Sequence, residues 1–182
     1  MKDVASRVGP SVVSIVVSKD MQTYRTDPFG FFYEPAGTVR RKIGGGTGFF
    51  VRKDGYVLTN KHVVADPQAS YAIVLSNGEE LDGKVLGFDP TTDLAMVRAY
   101  KKDGKPYESA VPVTVIPKTG DLSVGSFVIA IGNALAEFQN TLTFGVVSGL
   151  GRSIEAGDQS SGTSEQLTGL VQTDTAINPG NS

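Results

Sequence analysis

One histidine, His62, occurs among the 182 residues, in the run Thr59-Asn60-Lys61-His62-Val63-Val64. It is the only side chain here whose unperturbed titration falls near pH 7, so a reaction that needs a neutral nitrogen base must use it. A lone histidine is by itself ordinary, and more often a surface or core residue than a catalyst. The far end of the chain shifts the weighting. There Asn178-Pro179-Gly180-Asn181-Ser182 sets a serine behind a glycine whose backbone can come close to a reacting group. Between the two, Asp89-Pro90-Thr91-Thr92-Asp93 places an acid before the apolar run Leu94-Ala95-Met96-Val97. His, Asp, Ser is one of the known chain orders of a catalytic triad, and it predicts a serine protease domain.

Each part has a chemical role in that reading. A serine hydroxyl is a poor nucleophile until a base takes its proton during attack, which His62 would do for Ser182. An acid must hold the ring in one tautomer and stabilise the imidazolium. Asp66, Asp89 and Asp93 lie near enough in sequence to be considered. Asp66 and Asp89 both precede proline, where turn chemistry explains them. Asp93, at the edge of a strand, is the expected partner. The backbone N–H groups of Gly180 and Ser182 are the expected oxyanion donors, and Thr175-Ala176-Ile177 is expected to line the substrate pocket.

Composition removes other classes. Hydrophobic residues make up 40% and charged residues 20%, as in a soluble globular protein. The net charge is −2 and the only basic cluster is Arg40-Arg41-Lys42, so no nucleic-acid footprint is present. Without cysteine there is neither a disulfide framework nor a thiolate metal site, and one histidine argues against zinc. No cofactor and no metal are expected. The apolar stretches Val12 to Val17 and Phe127 to Ile131 are strand-length, too short for a membrane span, and no signal-peptide pattern opens the chain.

The elements that must position these residues read as β-strands. Short β-branched or aromatic runs recur between turn signals, and 22 glycines accompany them, which favours an all-β barrel or sandwich. Strands are expected at Val12–Val17, Phe49–Arg52, Tyr56–Thr59, Tyr71–Leu75, Leu81–Phe88 and Leu94–Arg98, with turns at Lys53-Asp54-Gly55 and Ser76-Asn77-Gly78. The run Gly44-Gly45-Gly46-Thr47-Gly48 lacks the Lys-Ser or Lys-Thr of a phosphate loop, and suits a bulge or close packing in a sheet. Val63 to Pro67 reads as one helical turn stopped by proline. Residues 18–42 lose periodicity and read as a long aromatic loop. Later strands are expected at Phe127–Gly132, Leu142–Leu150 and Leu170–Thr173, with Gly151 to Thr168 as an exposed, mobile loop. The expected division is 1–110, a first barrel carrying His62 and Asp93, and 111–182, part of a second carrying Ser182.

Several stretches together resemble the HtrA (Deg) serine proteases. They are Gly46-Thr47-Gly48-Phe49-Phe50, Leu58-Thr59-Asn60-Lys61-His62-Val63-Val64, Asp89-Pro90-Thr91-Thr92-Asp93-Leu94-Ala95, Ile131-Gly132-Asn133, Gly145-Val146-Val147-Ser148 and Gln172 through Ser182. The resemblance implies a chymotrypsin-like double β-barrel with the site in the cleft, and carries the triad to His62, Asp93 and Ser182. It also implies ATP-independent cleavage of unfolded or misfolded polypeptides, in homo-oligomers such as trimers, in the periplasm or cell envelope. Two departures stand out: Asn133 is followed by Ala134 rather than proline, and residues 151–168 are longer than the family's sensor loop. The family's PDZ domain is not within these 182 residues, and the family continues past the serine at which they end, so an incomplete second barrel and an inactive fragment are expected. The alternative is a β-barrel that binds unfolded segments without cleaving them; a triad esterase is a third reading.

Overall fold

In a computed structural model, residues 2–26, 33–108, 110–114, 122–132, 141–158 and 163–177 are described. A short helix, α1 (Lys2–Val8), leads through a 3-10 turn into β1 (Val12–Thr26) and β2 (Tyr33–Phe50). Then follow β3 (Tyr56–Thr59), a second 3-10 turn (Lys61–Val63), β4 (Ser70–Val74), β5 (Glu80–Phe88) and β6 (Ala95–Tyr100). These six strands form a closed barrel in the order β1-β2-β3-β6-β5-β4. Three more, β7 (Phe127–Gly132), β8 (Thr141–Asp158) and β9 (Thr163–Thr173), form an antiparallel sheet that is open among the described residues. Among those residues no helix is long and apolar enough to cross a membrane.

Alternation builds the barrel. Along β3, Val57 and Thr59 point inward, and along β6 Ala95, Val97 and Ala99 do so, as the two-residue period of a strand requires. Val57, Ala95, Val97 and Ala99 meet Val13 and Ile15 of β1, Phe50 of β2, Ile73 of β4 and Leu81 of β5 in one core. Closure of the ring, by β1 pairing with β4 from Ser14↔Val74 to Ser18↔Ser70, leaves no free edge at that seam. Two of the glycines in the 44–48 run serve close packing. A methyl group on Gly48 would lie 2.7 Å from Val57 Cγ1, and one on Gly46 would lie 2.7 Å from Val63 Cγ2. Ile43 is the bulged residue beside them, because Val17 pairs with Gly44 while Ser18 pairs with Lys42.

Two stretches expected as loops are strands. Beyond Ser18, β1 and β2 continue as a two-stranded ribbon to Thr26↔Tyr33. Phe29, Phe31 and Phe32, of the aromatic stretch expected there, lie outside the described residues. Likewise β8 and β9 extend past the sheet, from Arg152↔Leu170 to Asp158↔Thr163, over most of the 151–168 segment expected as a mobile loop. The reason is common to both. A ribbon that pairs only with itself satisfies its backbone without burying either face, so its sequence need not alternate apolar and polar residues. The helical turn expected at 63–67 instead spans Lys61–Val63 and contains His62 itself.

The core should be sensitive and the exposed bulge tolerant. Ile15 is fully buried and Ile43 is half exposed. Ile15→Ala is expected to destabilise the barrel by about 2–5 kcal/mol, and Ile43→Ala to change it by no more than about 0.5 kcal/mol, in urea unfolding. Similar losses for the two would contradict this assignment of the core.

Candidate active site

His62 and Asp93 are 31 residues apart in sequence, and strand pairing brings them to one end of the barrel. β3 and β6 are antiparallel neighbours, with Tyr56 opposite Arg98 and Thr59 opposite Ala95. The end of β3 therefore lies beside the start of β6. His62 stands three residues past Thr59, and Asp93 two residues before Ala95. The exit from β3 is pinned by Thr59, whose hydroxyl donates to the Thr47 carbonyl at 2.8 Å. The 3-10 turn then seats Val63 against Gly46, where any larger residue would collide with it.

The contact between the two is made at two points. The His62 backbone N–H donates to Asp93 Oδ1 at 2.9 Å, and the ring Nδ1 lies 2.6 Å from Asp93 Oδ2. A proton on Nδ1 would be donated to the carboxylate, leaving Nε2 with a lone pair free to accept. The His62 side chain is 72% exposed and that of Asp93 only 16%, so the ring is open to solvent while the carboxylate is largely screened from it. Burial pushes the Asp93 carboxyl up, but the His62 N–H and ring and the Asn60 amide together hold it below the usual carboxylate value.

The other two aspartates are engaged elsewhere. Asp66 accepts from the Gln68 N–H at 2.9 Å and pairs with Lys19 Nζ at 2.8 Å, tying the base of the β1–β2 ribbon to the segment after His62. Asp89 Oδ1 accepts from the Thr91 N–H and hydroxyl, both at 2.8 Å, and from the Thr92 N–H at 2.9 Å. It thereby shapes the loop that delivers Asp93. A groove of about 810 Å³, lined by Arg40, Asp66, Tyr71, Lys84 and Phe88 among others, contains neither His62 nor Asp93. It is separate from this site.

The segment expected to line the substrate pocket follows β9. Thr175 is buried, its hydroxyl 2.6 Å from that of Thr173. The Ala176 carbonyl accepts from the Thr143 hydroxyl at 2.8 Å, and Ile177 is largely exposed. Asp174 Oδ1 accepts the Val146 N–H at 2.6 Å. Gly145 permits this arrangement, because a methyl there would run into the Asp174 carboxylate and lie 2.5 Å from Thr175 Oγ1. Gly180 and Ser182 lie outside the described residues. Sequence reasoning passed over Asn60, whose amide reaches Asp93; its place two residues before the only histidine was the available signal.

A barrel presenting a histidine–aspartate pair beside a strand end defines a class, and comparison with known proteins names it. Residues 46–182 match the family model described as "Trypsin-like peptidase domain". HhoA from Synechocystis sp. is 38% identical over 187 residues, covering 97% of this chain and 44% of HhoA. A "Probable periplasmic serine endoprotease DegP-like" from Ectopseudomonas mendocina is 39% identical over 148 residues, covering 81% and 28%. The crystal structure of Deg5 superposes with a TM-score of 0.66 at 30% identity, covering all of this chain and 75% of that one. The chain belongs to the trypsin-like peptidases, in their HtrA (Deg) family. It spans less than half the length of the curated relatives it matches.

The lowered Asp93 carboxyl has a consequence for stability. A carboxyl depressed in the folded state contributes stability above its unfolded value, about 3.9, which is lost as the pH falls through the folded value. Asp93→Asn is therefore expected to be less stable than the native chain at pH 7, with the gap narrowing below about pH 4. A gap that is the same at pH 7 and pH 3 in urea titrations would refute this.

Proposed function

We propose that this chain supplies the catalytic machinery of a serine endopeptidase, with His62 as base, Asp93 as its acid and Ser182 as nucleophile. The supporting observation is the two-point contact of His62 with Asp93, at 2.9 Å to the backbone N–H and 2.6 Å to the ring. Ser182 Oγ would add to the scissile carbonyl carbon while its proton passes to His62 Nε2. The N–H groups of Gly180 and Ser182 would receive the oxyanion. Collapse of that intermediate breaks the C–N bond, and the amine leaves with the proton held by His62. Water then attacks the acyl-enzyme by the same route and returns Ser182 to its hydroxyl form. Asp93 stays ionised throughout and stabilises the imidazolium.

The division at residues 110 and 111, with His62 and Asp93 on one half and Ser182 on the other, belongs to the same proposal. So do the finer features drawn from the family: unfolded or misfolded polypeptides as substrates, no requirement for ATP, a quality-control role, homo-oligomers such as trimers, and a place outside the cytoplasm. Thr175, Ala176 and Ile177 are proposed to contact the residue before the scissile bond. They carry no carboxylate, and the nearby Asp174 has one oxygen engaged by the Val146 N–H. An unpaired Lys or Arg would be costly in such a pocket, so small or medium aliphatic residues should be preferred.

In the full-length protein, His62→Ala and Ser182→Ala should abolish casein hydrolysis and fluorophosphonate labelling with the fold intact. Asp93→Asn should lower turnover by a factor on the order of 10⁴, through the wrong ring tautomer. Asp66→Asn should be mild, because Asp66 holds Lys19 and a turn rather than the ring. An Asp66→Asn loss as severe as that of Asp93→Asn would overturn the choice of acid. Peptide-library profiling should place Val or Ala before the cleaved bond, and a clear preference for Arg or Lys would reject the pocket.

A further inference from the structure

We propose that Asn60 is a positioning residue for this site, its side-chain amide bridging the carboxylate and the carbonyl of Asp93 so that one carboxylate oxygen faces the His62 ring. The proposal rests on the reading of His62 and Asp93 as base and acid. Asn60 Nδ2 lies 3.0 Å from Asp93 Oδ2 and 3.1 Å from the Asp93 carbonyl oxygen. Oδ2 is the oxygen that stands 2.6 Å from His62 Nδ1. The Asp93 carbonyl also accepts the Lys61 N–H at 3.1 Å.

Asn60 directly precedes a 3-10 turn, a position where asparagine ordinarily caps the free N–H groups with its side chain. Its backbone is extended there, and its side chain makes no capping hydrogen bond. The amide is turned to Asp93 instead. That use suits the chemistry of the group. The terminal torsion of an aspartate is soft, so contact with His62 alone leaves the carboxylate free to follow the ring. A primary amide carries two N–H donors on one rigid plane and no charge. One donor can hold the carboxylate and the other the backbone, which sets the angle between them. Aspartate at position 60 would have no donor, and serine only one. Donation to Oδ2 also favours the ionised acid, in accord with the lowered Asp93 carboxyl. The ionisable groups on the two elements that meet here are Lys61 and His62 on the turn, and Asp89 and Asp93 on the loop before β6; Asp89 is engaged within its own loop.

The test compares the native protein with Asn60→Ala and with Asn60→Asp, which keeps the shape and replaces the donor with a second acceptor. The first readout is the ¹⁵N and ¹H NMR of the His62 ring across pH, in the intact protein, with the signals assigned by their loss in His62→Ala. The native ring is expected to hold its neutral proton on Nδ1. Asn60→Ala should populate both tautomers. Asn60→Asp, which has no N–H to hold the carboxylate, should populate both tautomers as well. The second readout is peptide hydrolysis. Asn60→Ala should lower kcat about 10- to 100-fold, the worth of one hydrogen bond to a charged group, with KM nearly unchanged. Asn60→Asp should lower kcat by a comparable factor, since it too lacks the donor.

A ring tautomer identical to native in both variants would overturn the proposal, and so would native kcat in Asn60→Ala. If Asn60→Ala fails to fold, the near-isosteric Asn60→Asp carries the same decision. A protein in which Ser182→Ala leaves hydrolysis intact would refute the proposed function, while the NMR readout would still decide the role of Asn60.

Discussion

Antiparallel pairing of β3 with β6 is the constraint on which the site depends. Its register, Thr59 opposite Ala95, fixes how far the chain must travel past one strand, and before the other, for two side chains to meet. A slip by one residue would turn Val57 and Val97 out of the core and separate His62 from Asp93 in the same step. Core packing therefore enforces the register, and the register enforces the site. Val57, Val97 and Ala99 have no solvent exposure, so the alternative pairings would expose apolar surface that is now wholly buried.

Around that pairing, small local contacts remove the remaining freedom. Thr59 anchors to Thr47, Val63 seats against Gly46, and Asp89 draws in its own loop through Thr91 and Thr92. Each involves backbone on at least one side, so the geometry follows the barrel rather than long mobile side chains. The result is an aspartate shielded from water beside a histidine open to it. This asymmetry suits the roles proposed for the pair, in which Asp93 would orient the ring and the accessible ring nitrogen would transfer a proton.

The two ribbons show a different balance. β1 and β2 leave the barrel beyond Ser18, and β8 and β9 run on to Asp158↔Thr163. Their outer parts carry exposed apolar residues, Met21, Tyr24, Val39 and Ile154 among them. Backbone pairing, rather than burial, holds such arms. Lys19 pairing with Asp66 joins the first ribbon to the segment that follows His62, so the arm and the site share one anchored stretch of chain.

How much was legible without coordinates follows from the kind of physics involved. The barrel strands could be read because each has a buried face, and the two-residue period of burial is written in residue type. The hairpins at Lys53-Asp54-Gly55 and Asn77-Gly78 could be read because Gly55 and Gly78 adopt positive φ, at 81° and 84°, which glycine allows without strain. Candidate chemistry could be read because a single histidine left one choice of base. The ribbons could not, since a self-paired strand with no buried face needs no particular alternation. Nor could the helix Lys2–Val8, which is shorter than two helical periods reveal. Three aspartates of one residue type competed for His62, and only the pairing of β3 with β6 brought Asp93 to the ring while turns absorbed Asp66 and Asp89. The same pairing turned Asn60 from an ordinary cap residue into a second ligand of that carboxylate, because hydrogen bonds across 33 residues are set by where strands end and not by local sequence.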